Sequence, residues 1–277
     1  MFETVRNAFK IKDLRKKILY TFMVLIVVRI GCQLPVPGVD ASVISEWFNE
    51  NNSLDFFNQL TGGSFSQMSI FALNITPYIT ASIILQLLTI AIPRLEELHK
   101  DGEEGRKKIG EYTRYLSVAL AVVESAAMAY GFGRSGYLTN GVSFTSIAVI
   151  VVSLTTGASF LMWLGEQVTE KGVGNGISII LLYNIVSRMP EDMMTLFEKF
   201  VSGASNVTNG LLAAIVIIAV IIATVVFIII LSDGERRINV QYSKKTQGRK
   251  LVGGQSSHIP LKINTAGVIP VIFAGSL

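Results

Sequence analysis

The chain has 277 residues, of which 50% are hydrophobic and 16% charged, with a mean hydropathy of +0.51 and a formal net charge of +4. A soluble domain of this size does not need so much apolar surface, so the composition excludes an ordinary soluble enzyme or binding module and leaves a membrane protein. The single cysteine, Cys32, excludes an internal disulfide, and His99 and His258 lie in separate polar segments that do not support a metal site.

The predicted elements begin with basic residues ahead of an apolar run at about 18–34. This start is similar to a signal peptide, and "RIGC" is distantly like a lipoprotein cleavage site. Arg29, however, stands three residues before Cys32 where such sites want an apolar residue, and no small-x-small pattern follows, so an uncleaved first span is expected. "PVPGVD" at 35–40 ends it. The next segment is acidic, with Asp40, Glu46, Glu50 and Asp55, and "DFFNQLTGGSFSQMSIFAL" lacks the continuous apolar length to cross a bilayer. It reads as a short amphipathic helix with Phe56, Phe57 and Leu60 on one face, a hinge at Gly62 and Gly63, and a return toward the membrane through "SIFAL". A loop lying on the headgroups fits the same residues.

Further apolar windows follow at 76–92, 115–132, 143–164, 176–187 and 211–231. The last holds no charge over 21 positions, enough for roughly 30 Å of helix. The chain stops at Leu277 inside a seventh window that starts near 265, so a truncated protein is expected. "RLEELHKDGEEGRKK" at 94–108 mixes both signs and predicts a solvated helical hairpin. In "GNG" at 174–176 no strand precedes and no Lys-Ser/Thr follows, so Asn175 is expected to cap the fifth span rather than bind phosphate.

Lys and Arg alternate between the spans. Residues 1–17 carry six, 93–114 six, 165–175 one and 232–264 seven, against only Arg134, Arg188 and Lys199 in the alternate loops. The positive-inside rule then places the N-terminus and the loops after the second, fourth and sixth spans in the cytoplasm.

The second span raises a question of its own, because "SIFALNITPYITAS" puts Asn74, Thr76 and Pro77 inside an apolar stretch. Thr76 reads as an N-cap and Pro77 as a first-turn residue of a helix running to about Ile92. Backbone groups near Asn74 would be unpaired at membrane depth unless protein or water met them, which points to a cavity; a Pro-kinked span packed in a bundle is the alternative. "ITPYITAS" at 75–82 also matches "VIPVIFAG" at 268–275, aligning Pro77 with Pro270 in spans of opposite direction. Paired Pro-interrupted segments in inverted halves mark a pathway at the repeat interface.

Aliphatic stripes could line such a pathway. Ile79, Ile83 and Gln86 to Leu87 share a face of the second span, and Ile177, Leu181 and Ile185 share one of the fifth. A ring of bulky aliphatics would exclude ions by dewetting yet yield to a flexible chain; lipid-facing or core positions would have the same periodicity. Only Glu124 and Arg29 are ionisable within the spans, and Glu124 is expected to face the bundle and hydrogen-bond a neighbouring helix. No HExxH pair, Ser nucleophile with an intramembrane His, or paired carboxylates occur. The loop "SDGERRINVQYSKKTQGRKLVGGQSSHIPLK" carries more positive charge than orientation requires. It would attract RNA or an acidic surface, with Gly253 and Gly254 letting it turn; a pure topology signal is the alternative.

"FALNITPYITASIILQLL", "GEYTRYLSV", "FLMWLGEQVTEKGVGNGISII" and "ERRINVQYSKK" followed by "HIPLKINTAGVIPVIFAGSL" resemble the SecY family, the large subunit of the protein-conducting channel. The resemblance implies an all-α, polytopic transmembrane helix bundle of two inverted five-helix repeats, the first complete and the second truncated here. Residues 1–190 would be the N-terminal half, including a plug at about 55–73. Residues 191–277 would begin the second half with the sixth span, the basic cytosolic loop 232–264 and the start of the seventh span.

The resemblance further implies a passive pore and no enzyme, passing unfolded secretory chains across a bacterial cytoplasmic membrane and releasing hydrophobic segments sideways. Ile79, Ile83, Leu181, Ile185 and Ile269 would contribute to the pore ring. Pro77, Ser82, Gln86 and Pro270 would belong to the lateral gate, and Gly62, Gly63, Phe65 and Met68 to the plug. Arg236, Arg237, Lys244, Lys245, Arg249 and Lys250 would engage the ribosome and the SecA motor. The implied partners also include SecE, SecG, secretory preproteins with their signal sequences, and lipid; no cofactor or metal is implied. Two other assignments remain open from the residues themselves. An inverted-repeat secondary transporter would need polar substrate ligands at the helix breaks, where this sequence has aliphatics. A structural subunit would have no pathway at all.

Overall fold

The computed structural model describes residues 10–40, 43–44, 55–139, 141–202, 207–240, 245–247, 250–252 and 257–265. Two compact units follow one another along the chain, Met1–Asp192 and Met193–Leu277.

The apolar windows of the first unit become helices. In chain order these are α1 (Lys12–Cys32), the short α2 (Asp55–Leu60), α3 (Thr76–Ala91), α4 (Pro93–Lys100), α5 (Glu103–Arg134), α6 (Phe144–Lys171) and α7 (Gly176–Phe197), whose last turn runs into the second unit. By length and composition α5 and α6 can each cross a membrane, and α3 with α4, bent by 103°, forms a further candidate. Pro93 opens α4 directly after the Ile92 cap, and Asp101 and Gly102 turn the chain into α5, so the hairpin expected at 94–108 is present. Its surface is exposed, and Lys100 Nζ donates to Glu96 Oε1 at 2.6 Å, holding that carboxyl below the usual carboxylate range.

Small residues set the helix packing. On α5, Thr113, Ser117, Ala121, Ser125, Ala129 and Gly133 are buried at every fourth position, a ladder that lets a neighbouring backbone come close where lipid supplies no hydrophobic drive. α5 packs on both α3 and α6. Across the α5–α6 seam Ser125 and Thr155 hydroxyls meet at 3.2 Å, Ser117 Oγ donates to Met162 Sδ at 3.2 Å, and Arg114 Nε pairs with Glu166 Oε1 at 2.5 Å. α6 contributes Ile150, Leu154, Leu161, Leu164 and Val168 to the interior. Asn175 caps α7, its Oδ1 accepting the Ile177 and Ser178 amides at 3.1 and 3.3 Å, as the sequence predicts.

Between α2 and α3 the chain makes consecutive turns over 61–75 rather than a helix, and most of it is buried. Met68, Ala72 and Leu73 belong to one apolar cluster with Val36, Ala121, Ile150 and Leu154, while Phe71 and Ile75 belong to a second with Val28, Leu161, Val168 and Ile180. Protein therefore meets the backbone groups at the break. Ile70 N donates to Leu34 O and Val36 N to Met68 O, both at 2.9 Å; Ala72 N donates to Ser69 O at 2.9 Å and Asn74 N to Phe71 O at 2.8 Å. The start of α3 also differs from expectation: Ile75, not Thr76, is the N-cap, with no side-chain capping bond. Asn74 lies at φ 51, and the Ile75 carbonyl already accepts the Tyr78 and Ile79 amides, so Thr76 is inside the helix and Pro77 sits where a missing N–H costs nothing.

In the second unit a π-helical turn (Glu198–Ser202) precedes α8 (Val207–Asp233), whose stretch Gly210–Asp233 is long and apolar enough to span a membrane. The segment expected as a projecting loop folds as β-ribbon. β1 (Glu235–Val240) pairs antiparallel with β4 (Ser257–Lys262), and β2 (Lys245–Gln247) with β3 (Lys250–Val252). Glu235 faces Lys262 and Ile238 faces Ile259, opposite-charge and branched pairs that favour this register, and Pro260 is tolerated because a two-stranded ribbon has only edges. Gln247 pairs with Lys250. Gly253 and Gly254, expected to let the loop turn, lie outside the described residues. Outside them too lie the expected seventh span and its match to 75–82.

Leu154 is fully buried and Val152 is 64% exposed on the same helix. Leu154→Ala should therefore cost about 2–5 kcal/mol and Val152→Ala less than about 0.5 kcal/mol, read as unfolding free energies of the membrane-embedded protein.

Candidate functional site

The residues with the strongest functional signal gather around the turns 61–75 and the helices that enclose them. Gly62 and Gly63 adopt φ 66 and φ 86, conformations that cost a Cβ-bearing residue energy, and Gly62 packs against α7 so closely that a Cβ would sit 3.1 Å from the Asn184 carbonyl oxygen. Met68 is fully buried at φ 43, an unfavourable conformation for a non-glycine residue held by its surroundings. Phe65 is half-buried against the same cluster as Met68. These four residues are thus brought together in one folded segment. The side chains of Phe56 and Phe57 are outside what the structure describes.

Polar bonds tie this segment together and to its surroundings. Ser66 N donates to Asn58 Oδ1 at 3.1 Å, Ser64 Oγ to Thr61 O at 2.8 Å, and Asn74 Nδ2 to Leu60 O at 3.0 Å. Asn184 Nδ2 on α7 donates to Asn74 Oδ1 at 3.2 Å, and both asparagines are 2% exposed, so neither could leave this bond without finding another partner. Arg29 on α1 donates from Nη1 to Gly62 O at 3.2 Å and to Ser187 Oγ at 3.3 Å. A cation within a span is costly unless it is paired or reaches water; here it ties α1, the glycine turn and α7. Of the α7 polar residues only Arg188 entered the sequence reading, as a loop cation that the structure instead places within the helix, although Asn184, Ser187, Arg188 and Asp192 recur at helical spacing.

The four described residues of the expected ring sit at the margin of the core. Ile83 is 9% exposed, Ile79 is half-buried against the cluster of Val28, Phe71 and Ile180, Leu181 is half-buried, and Ile185 is 41% exposed. Ile269 lies outside the described residues. Of the expected gate residues, Pro77 is buried at the start of α3, and Ser82 and Gln86 line a cavity of about 160 Å³ together with Leu85, Thr89, His99, Arg106, Ile109 and Thr113. Pro270 is outside the described residues.

Arg236 and Arg237 are exposed on β1. Lys245 and Lys250 lie on β2 and β3, while Lys244 and Arg249 lie outside the described residues. Glu124 is half-buried on α5 and makes no hydrogen bond or ion pair among the described residues, so the expected bond to a neighbouring helix is not formed there. Among the described residues no three His, Cys, Asp or Glu side chains gather as metal ligands would.

The model of the SecY family matches residues 69–277. Proteins named protein translocase subunit SecY from Pseudomonas aeruginosa and Escherichia coli K12 are 44% and 45% identical, over 96% of this chain and 60% of theirs. One from Buchnera aphidicola is 45% identical over 96% of this chain and 75% of its own. The chain thus spans about 60% of the length of the first two relatives. Among solved structures, one described as a protein conducting channel superposes with a TM-score of 0.59 at 20% identity, over 95% of this chain and 56% of that one. Sec61 in the canine ribosome-channel complex gives 0.57 at 20% identity, over 95% and 56%. These superpositions show a shared fold of membrane-spanning helices, and the family match and the identities to the curated relatives settle the assignment: this multi-pass membrane protein belongs to the SecY family.

Proposed function

We propose that this chain forms the N-terminal part of the pore of a protein translocation channel, passing unfolded secretory polypeptides across a bacterial cytoplasmic membrane and releasing apolar segments into lipid. The observation that carries this reading is the folded, non-helical segment 61–75 buried among α1, α3, α6 and α7. A permanent bundle would satisfy its backbone more simply with helix, so a turn-rich segment at this depth, fastened by a few polar bonds, fits a part that moves. Relatives named as translocase subunits and a neighbour described as a protein conducting channel support the same reading, and none of them supports the ion-coupled transporter alternative.

In this reading residues 55–73 are a plug over the outer side of the pore. Ile79, Ile83, Leu181, Ile185 and Ile269 are a flexible aliphatic gasket around the moving chain, impermeant to ions because water does not wet it. The two halves are 1–190 and 191–277. The second and seventh spans part as a lateral gate at Pro77, Ser82, Gln86 and Pro270, and a signal sequence leaves between them, driven by roughly 25 cal/mol per Å² of apolar surface moved into lipid. No bond is made or broken, so the work of movement comes from partners.

In this reading, which the charge asymmetry supports, the N-terminus and the β-ribbon are cytoplasmic. There Arg236, Arg237, Lys244, Lys245, Arg249 and Lys250 present a basic surface to ribosomal RNA or to the SecA motor, and the neighbour described as a ribosome-channel complex supports the ribosomal contact. SecE and SecG complete the assembly.

One photocrosslinking experiment with two probe positions tests this. With the chain assembled in a bacterial membrane beside its partner subunits and a secretory precursor stalled midway, a photoreactive residue at Ile79 should attach to the precursor. The same residue at Arg237 should attach to ribosome or motor. A stalled precursor that never attaches at Ile79 contradicts the pore, and a silent Arg237 contradicts the docking role.

A further inference from the structure

Four polar residues of α7 lie at positions 184, 187, 188 and 192, spacings of three and four that put them on one face of the helix. Each one meets the segment 58–74 or a group that holds it. Asn184 donates to Asn74 Oδ1 at 3.2 Å. Ser187 accepts from Arg29 Nη1, which also donates to the Gly62 carbonyl. Arg188 Nη1 stands 3.1 Å from where a Cβ on Gly63 would be, and Asp192 Oδ2 accepts from Gln59 Nε2 at 3.2 Å.

We propose that this polar face of α7, together with Arg29, is a latch that positions the segment 58–74 in the closed state and whose release frees it; the proposal rests on the plug reading above. Aliphatic packing alone would hold the segment without fixing its register, because apolar contact is not directional. Hydrogen bonds fix the register, with the Asn74–Asn184 pair at one end of the segment and the Gln59–Asp192 pair at the other. They are also the reversible part of the hold. Each donor and acceptor that the segment leaves can be met by water in an opened, wet pore, whereas in the closed state it would be stranded.

The hold is tuned to be moderate. Arg188 Nε and Ser69 Oγ are buried with no hydrogen-bond partner, and Met68 and Asn74 are kept at positive φ. Both features disfavour the closed arrangement, so removing one further bond should tip it measurably. One turn earlier on the same face, Ile180 and Leu181 are aliphatic and offer no such bond.

The test reads the segment directly and needs no precursor, so it can fail while the crosslink at Ile79 succeeds, and the reverse. Ser69 is fully buried with an unpartnered hydroxyl, so Ser69→Cys is a near-isosteric reporter once Cys32 is replaced by alanine. The full chain, assembled with its partner subunits in a bacterial membrane, is treated from outside with a membrane-impermeant maleimide. Asn184→Ala should speed labelling of the reporter about tenfold, the factor expected from one buried hydrogen bond; Asn74→Ala, which also loses the bond to the Leu60 carbonyl, should speed it at least as much, and the double variant should be no faster than Asn74→Ala alone. Ser187→Ala, a milder change, should speed it less. Unchanged rates in the single variants would overturn the latch, as would a double variant whose rate is the product of the two effects. A control thiol, Ser125→Cys in the fully buried α5–α6 seam, should stay unlabelled throughout. If it opened together with the reporter in both Asn184→Ala and Ser187→Ala, the face would be holding the bundle rather than the segment, and the proposal would fall.

Discussion

Backbone amides and carbonyls cannot go unpaired at membrane depth, and the turns at 61–75 are where this chain meets that constraint without a helix. Everything near them is arranged to supply partners. The Leu34 carbonyl and the Val36 amide come from the chain that follows α1, Asn184 from α7, and the segment's own turns provide the rest. The apolar side chains between those bonds are divided between the two core clusters, Met68 and Leu73 in one and Phe71 and Ile75 in the other, so the segment is a core element as much as a connection. A turn-rich core element is stable only while its surroundings hold it, and the proposed role as a closure draws on that property.

The helices leave room for it by keeping their own contacts small. The ladder of Thr, Ser, Ala and Gly on α5 brings α6 close, and Gly157 on α6 lies against the Ile70 backbone, where any side chain would overlap the Ile70 carbonyl. Gly176 at the start of α7 approaches Gly165 of α6 just as tightly. Close backbones place the polar face of α7 within hydrogen-bond reach of the segment. Bulkier residues in the seams would move that face away.

Much of the helical content was legible because apolar runs of near-bilayer length have few alternatives. The hairpin at 94–108 and the Asn175 cap were legible from local chemistry as well. Thr76 misled because a threonine before proline reads as a cap, whereas the left-handed Asn74 lets the helix start one residue earlier; φ is set by the packed turns and is not written in propensity. The basic loop hid a ribbon, since Ile238, Val240 and Ile259 are too few to announce strands, and it is the Glu235–Lys262 and Ile238–Ile259 pairings that set the register.

At the candidate site the glycines of the turn and the break at Pro77 could be read in advance, but their fastening could not. Asn184 and Ser187 look like ordinary polar residues near the end of an apolar window. Only their meeting with Asn74 and with Arg29, 110 and 158 residues away, gives them a role. The most direct check on the whole account is amide hydrogen exchange on the protein in lipid. The amides of Ser69, Ile70, Ala72 and Asn74 should exchange as slowly as those in the middle of α3. Exchange as fast as in an exposed loop would mean that protein does not meet the backbone at the break, and the account would be wrong at its root.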